Sequence, residues 1–336
     1  MVFSMAISKQ ETLEQVFSFR SFIFGIILAI FVYLAIMILS GWEDLILNLF
    51  RVNPLIVIVA ILLSLANYIF RFFKWHIFTR SLELKIPFKE NFLIFIAGLS
   101  LSITPAKVGE VIRAFLLQKN SSTDLSKGLA STFSERLIDL LAVTLLALIG
   151  VFFLGFQQSV KYMPVLLIIL IGILIGVLIF LFDPFYRPFR WLFHLKPLSS
   201  LGIKIDKFRS DVVVTFEYPI FLGALGLGMI GWACEGLGFF LIAQNLGIAI
   251  TFEASVFIYA TSSLLGALSF LPGGLGVTEG SMELFLAHLL GTSLPLAGAL
   301  TILIRMTTLW FGVTLGLIFL LLVLKRLSKT DSKNGH

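Results

Sequence analysis

Ser102-Ile103-Thr104-Pro105-Ala106-Lys107-Val108-Gly109-Glu110 and Ser269-Phe270-Leu271-Pro272-Gly273-Gly274-Leu275-Gly276-Val277-Thr278-Glu279 interrupt two otherwise apolar stretches, Asn91–Leu117 and Glu253–Leu290. Proline removes a helical backbone hydrogen bond and clustered glycine lets the chain turn sharply, so neither stretch reads as one straight helix. The two breaks share a spacing. Ser102, Pro105 and Gly109 stand to one another as Ser269, Pro272 and Gly276 do, and each set is followed by a glutamate, Glu110 or Glu279. Arg136 lies 26 residues after Glu110, and Arg305 lies 26 residues after Glu279. The one slip is a two-residue insertion between Gly276 and Glu279.

The surrounding sequence belongs to a lipid-solvated class. Of 336 residues 58% are hydrophobic and 13% charged, and 35 are Phe. Soluble domains carry about a quarter charged residues. Six plain runs are long enough to cross a bilayer: Ser21–Ser40, Pro54–Phe72, Leu137–Phe156, Tyr162–Phe182, Pro219–Leu241 and Pro295–Leu324. The first is too long for a signal-peptide core and lacks a small-residue cleavage site. The fold class expected is therefore all-α, a polytopic integral membrane protein with about six transmembrane helices and two re-entrant broken helices.

The net charge of +6 is not gathered as a nucleic-acid patch, so no nucleic-acid partner is expected. If the six plain runs cross and the broken ones return to their own side, nearly all Lys and Arg fall on one face. Only Arg51 and Lys161 fall on the other. The positive-inside rule then places both termini in the cytoplasm of a multi-pass cell-membrane protein.

Each half reads as helix, helix, re-entrant loop, helix. Three crossings is an odd number, so the halves insert with opposite orientation, an inverted repeat of the transporter kind. Residues 1–336 form one membrane domain, with a first repeat over 21–156 and the remainder of the second over 219–324. Residues 157–218 hold the fourth span and a cytoplasmic linker. Leu201, Ile205, Phe208, Val212 and Phe216 recur there at helical spacing, as in an amphipathic helix lying on a membrane surface.

Ionisable residues within spans usually face a protein interior or cavity. The candidate lipid-binding residues are Glu110, Arg136, Glu279, Arg305, Lys107, Arg113, Asp139 and Glu235, with Pro105, Gly109, Pro272, Gly273, Gly274 and Gly276 as the loop breaks. A half-helix beginning after Pro105 or Pro272 presents free N–H groups and a positive dipole end, which can hold a lipid phosphate. Arg136 and Arg305 can add bidentate donors. Glu110 and Glu279 can neutralise those arginines in an empty site, or bind a cationic headgroup or a coupling proton. Both pairs read equally as structural ion pairs fixing the loops. Arg71, Lys74, Lys107 and Arg113 read also as side chains snorkelling to the cytoplasmic interface, Glu135 as near a surface, and Asp139 also as a helix-packing residue. Cys234 reads as a small packing residue, and His76, His194, His288 and His336 lack metal-ligand spacing. No catalytic constellation, metal or cofactor is expected.

Asn67-Tyr68-Ile69-Phe70-Arg71, Pro105-Ala106-Lys107-Val108-Gly109-Glu110-Val111-Ile112-Arg113, Ser134-Glu135-Arg136-Leu137-Ile138-Asp139 and Leu271–Glu279 together resemble the lysylphosphatidylglycerol synthase transmembrane-region family, described as flippase-like. The resemblance runs from about Ile56 to Leu320 with the motifs in order. It implies movement of a charged-headgroup phospholipid between leaflets. In full-length synthases the membrane region precedes a soluble lysyl-transferring domain. Only twelve residues follow Leu324 here, so lysyl transfer is not expected. The expected partners are a membrane phospholipid and a separate soluble lipid-modifying enzyme. Two other functions fit the same residues: an ion-coupled carrier for a small polar solute, and a membrane enzyme subunit acting on an aminoacyl lipid or lipid-linked sugar.

Overall fold

The computed structural model describes residues 19–104, 110–121, 123–194 and 199–333, and every element among them is helical. Helices α1 (Phe19–Leu39) and α2 (Trp42–Arg51) lead into α3 (Pro54–Ser81). Next come α4 (Phe88–Gly98), which ends in the 3-10 turn Leu99–Leu101, and, beyond the first break, α5 (Ile112–Ser121). Then follow α6 (Leu125–Phe153), α7 (Phe156–Leu181), α8 (Asp183–His194), α9 (Ser199–Thr215) and α10 (Tyr218–Asn245). Helix α11 (Phe252–Leu268) reaches the second break, a 3-10 turn at Pro272–Gly274, and α12 (Val277–Leu290) leaves it. Helices α13 (Leu294–Arg305) and α14 (Phe311–Lys333) are joined without interruption by a π-turn, Met306–Trp310. Among the described residues six helices are long and apolar enough to cross a membrane: α1, α3, α6, α7, α10 and the continuous α13–α14. The protein is a multi-pass all-α membrane protein.

The helices match the six expected spans in place but not in length. Helix α3 runs on to Ser81, and α6 begins at Leu125, twelve residues before the expected start. Hydropathy ends a span where charge appears. In α3 and α6 the charges, Arg71, Lys74, Glu135 and Arg136, meet partners on other helices, so the backbone continues through them. Asp124 sets the true start of α6, its side chain accepting from Ser126 N at 3.0 Å.

Helices α3 and α10, each 28 residues long, pair antiparallel. Asn67 Nδ2 donates to Gly231 O at 3.0 Å near the midpoint of both, and Asn53 N donates to Asn245 Oδ1 at 2.8 Å where one begins and the other ends. Around this pair the halves exchange partners: α4 packs on α14, and α11 packs on α6. Glycine permits both approaches. A Cβ on Gly316 would lie 2.2 Å from Ser100 N, and one on Gly150 would lie 2.8 Å from Phe257 N. One buried apolar cluster, including Val143, Phe239, Phe257 and Met282, joins α6, α10, α11 and α12. Another, including Phe72, Phe95 and Leu320, joins α3, α4 and α14.

Of the apolar stripe expected of the linker, Phe208 and Val212 on α9 meet protein, and the Leu201 side chain lies outside the described residues. Phe208 packs against Phe133 and Phe180 with ring centroids 5.5 and 6.1 Å away, and Val212 is fully buried. Ser126 Oγ donates to Asp211 Oδ2 at 2.6 Å, fastening α9 to α6. A helical stripe in the sequence shows that one face is apolar; it does not say whether lipid or protein meets it.

Candidate functional site

The second break has the clearer local logic. Gly273, Gly274 and Gly276 adopt φ of 59°, 69° and 84°, a region that side chains with a Cβ rarely occupy. The turn delivers α12 with Glu279 on its first turn. Glu279 Oε2 accepts from Gly276 N at 2.7 Å, and its Oε1 accepts from Arg305 Nε at 2.6 Å. Arg305 Nη2 also donates to Gly273 O at 2.7 Å. One donor of the helix N-terminus considered for a lipid phosphate is thus taken by the chain's own carboxylate, which serves the same dipole.

The first cluster is larger. Arg71 and Lys74 come from α3, Glu135, Arg136 and Asp139 from α6, and Arg113 from α5, with Glu110 just before it. Arg136 Nη2 reaches Glu110 Oε2 at 2.8 Å and Glu135 Oε1 at 3.1 Å. Arg71 Nη2 donates to Glu135 Oε1 at 3.1 Å, and Lys74 pairs with Asp139. Arg113 bridges Glu110 and Glu135, with its guanidinium carbon 4.7 Å from the Phe95 ring centroid and 5.2 Å from that of Trp75. A Cβ on Gly98 would collide with the Arg113 side chain, so glycine is what admits it.

The snorkelling reading is therefore corrected for Arg71, Lys74 and Arg113, which are buried and ion-paired on neighbouring helices. Glu135 is fully buried in the protein, and Asp139 is a paired member of the cluster. Pro105, Lys107 and Gly109 lie outside the described residues.

The breaks come together. A Cβ on Gly273 would meet Ile103 Cα at 3.6 Å. Between them is a cavity of about 270 Å³ whose wall includes Arg71, Arg136 and Asp139 from the first cluster and Arg305, Gly273 and Gly274 from the second. Glu235 also lines it, accepting from Tyr259 OH at 2.5 Å. Lys74, Arg113, Glu110, Glu135 and Glu279 stand behind this wall. Four basic and three acidic groups make up the first cluster, and Glu235 on the same cavity wall brings the formal charges of these described residues into balance. Arg136 keeps donor capacity to spare: its side chain is 24% exposed, and its buried Nε has no acceptor.

The model of the lysylphosphatidylglycerol synthase TM region matches residues 26–316. The chain belongs to this family. A UPF0104 membrane protein of Methanothermobacter thermautotrophicus is 27% identical to it over 312 residues, 87% of this chain and 90% of that protein. Another, from Methanocaldococcus jannaschii, is 28% identical over 241 residues, 69% of this chain and 97% of that one. A third, from Pyrococcus horikoshii, is 25% identical over 322 residues, covering 88% and 95%.

Several residues at or just behind this wall are not singled out as site candidates by the sequence. Arg71 and Lys74 carried a usable signal, a separation that puts both on one helix face, as Glu135 and Asp139 are on theirs. Tyr68, Trp232 and Tyr259 carried none, since aromatic residues in apolar helices are commonplace. The π-turn was equally silent. Its Thr308 carbonyl accepts from Tyr68 OH at 2.6 Å, and both residues line the cavity.

Proposed function

We propose that this protein translocates a phospholipid with a charged headgroup between membrane leaflets, holding the headgroup in the cavity between the two breaks. The observation that carries the reading is the convergence of Arg71 and Arg136 from one half and Arg305 from the other on one cavity. Guanidinium groups suit a phosphodiester because they donate in a fixed fork that remains charged at every physiological pH. A site assembled from both halves can be opened toward either face by a small rocking of one half against the other.

The topology proposed is an inverted repeat with re-entrant broken helices and both termini cytoplasmic. Two contacts support it. Lys127 Nζ donates to Leu82 O at 2.8 Å, so the start of α6 lies beside the end of α3, and the α4–α5 excursion begins and ends near one place. The antiparallel crossing of α3 and α10 near their midpoints is what a two-fold relation between oppositely oriented halves produces.

Reconstitution in vesicles with a fluorescent phosphatidylglycerol tests the function. The wild-type protein should equilibrate the probe between leaflets, and Arg136→Gln should reduce that rate to the protein-free value. Translocation by Arg136→Gln at the wild-type rate would remove the cavity from the mechanism.

A further inference from the structure

A chain of hydrogen bonds leads from the first charge cluster toward the end of α3. Its hub is Asn91, a buried residue of α4. Trp75 Nε1 donates to Asn91 Oδ1 at 2.7 Å, and Asn91 Nδ2 donates to Thr79 Oγ1 at 2.8 Å. The same amide nitrogen lies 2.9 Å from His76 Nδ1. Trp75, Thr79 and Asn91 are fully buried, whereas His76 is half-buried.

The chemistry of these groups fixes the protons along the chain. An indole nitrogen only donates, so the oxygen of Asn91 must face Trp75 and its NH2 must face Thr79 and His76. An amide NH2 offers no lone pair, so His76 Nδ1 accepts and the ring carries its proton on Nε2. Thr79 agrees with this order: its Oγ1 accepts from Asn91 and donates to His76 O at 2.9 Å. Phe72, stacked at 5.7 Å, and Phe88 of α4, edge-on at 5.1 Å, hold the imidazole in place. An imidazolium donates at both nitrogens and cannot make this bond.

The charged group that bears on the ring is Arg80, one turn further along α3. From α4 it is the uncharged Phe88 and Asn91 that face it. A proton on His76 therefore puts two like charges four residues apart on one helix. Behind Asn91, the Trp75 indole lies against Arg113, which bridges Glu110 and Glu135.

We infer that His76 is a proton sensor whose protonation breaks the Asn91 bond and, through Trp75, loosens the contact between α3 and α4 that supports Arg113. With its acceptor gone, one proton of the Asn91 amide is left unpaired in a buried site. If the amide turns its oxygen to the imidazolium instead, its NH2 meets the Trp75 N–H, donor against donor. Either way a buried hydrogen bond is lost. The neutral ring's contribution to stability is present above the ordinary histidine pKa of about 6.5 and is lost as the pH falls below it.

The test compares wild type with His76→Asn, whose amide oxygen replaces the accepting nitrogen and does not titrate. The difference between their thermal midpoints in detergent should shift against the wild type by roughly 2–4 °C between about pH 8 and about pH 5.5. Over the same range the indole N–H resonance of Trp75, identified by its absence in Trp75→Phe, should move in wild type and stay fixed in His76→Asn. A difference that stays constant would overturn the sensor, as would a Trp75 resonance that holds still in wild type. Asn91→Asp keeps the test alive if His76→Asn does not fold. A carboxylate accepts from both Trp75 and the imidazolium, so acidification over this range should stabilise Asn91→Asp relative to wild type. Equal loss of stability in Asn91→Asp and wild type would overturn the inference.

Discussion

Arg305 reaches back 26 residues to Glu279, its Nε 2.6 Å from Oε1, while its Nη2 holds the Gly273 carbonyl at 2.7 Å. One guanidinium thus ties together the three parts of the second break: the turn, the helix that leaves it and the helix that returns. Arg305 also forms part of the cavity wall. Arg305→Ala would strand Glu279, which is fully buried. Leaving one member of a buried pair uncompensated costs roughly 3–5 kcal/mol. A large fall in thermal midpoint in detergent is expected, with much of it recovered in the Glu279→Gln, Arg305→Gln double variant. Equal instability of the single and double variants would show that the pair as such is not what holds the break.

Arg113 and Arg136 touch the same carboxylates but divide the work. Arg113 is fully buried, bridges Glu110 and Glu135, and lies against two aromatic rings. Arg113→Ala should destabilise by about 3–5 kcal/mol. Arg136→Gln leaves both carboxylates still paired with Arg113, so its stability cost should be smaller, about 1.5–3 kcal/mol, the scale of a charged hydrogen bond. Its effect on phospholipid movement should be far larger. Thermal unfolding and translocation measured on the same preparations separate the two, and the assignment fails if Arg136→Gln unfolds as readily as Arg113→Ala.

The membrane class, the six long helices and the two ion pairs spaced 26 residues apart could be read from the sequence. Each rests on local features: apolar length, or a motif repeated at fixed distance. The larger cluster could not. Lys74 and Asp139 are 65 residues apart, and a lysine in the last third of an apolar helix looks the same whether it snorkels or pairs. Phe208 and Val212 on α9 posed the same problem, since lipid and protein both accept an apolar face. The π-turn at Met306–Trp310 escaped because it depends on where Tyr68, on another helix, finds an acceptor. What the sequence withheld in each case was the identity of the neighbour.

Asp124 joins a helix start to a surface contact and gives the molecule a pH dependence outside the spans. Its side chain pairs with Lys207 and accepts from Ser126 N at 3.0 Å. The Lys207 hydrogen bond first, then that from Ser126, holds the carboxyl below the usual aspartate range. A lowered carboxyl stabilises the fold above its unfolded pKa of about 3.9, and the contribution is lost as pH falls through the folded value. Asp124→Ala should cost about 1 kcal/mol at neutral pH, the ordinary value of an N-cap. The gap between wild type and variant should narrow on acidification below about pH 4. A gap that stays constant to pH 3 would show that the carboxylate charge contributes nothing.

Glycines in these helices serve different ends, and alanine distinguishes them. Gly316 of α14 lies against α4's terminal turn, where an added Cβ would be 2.2 Å from Ser100 N and 2.7 Å from Leu99 C. Both atoms are backbone, so relief requires moving one helix off the other at the place where the two halves exchange partners. Gly172 of α7 has nothing within 4 Å of the same position. Gly316→Ala should destabilise by about 1–3 kcal/mol or more, the range for overpacking. Gly172→Ala should be neutral or stabilising by roughly 0.5–1 kcal/mol, because alanine loses less conformational freedom in a helix. The two midpoints in one detergent decide the matter. If Gly316→Ala melts with Gly172→Ala, α4 and α14 are not in close backbone contact, and the exchange of partners between the halves loses its main support.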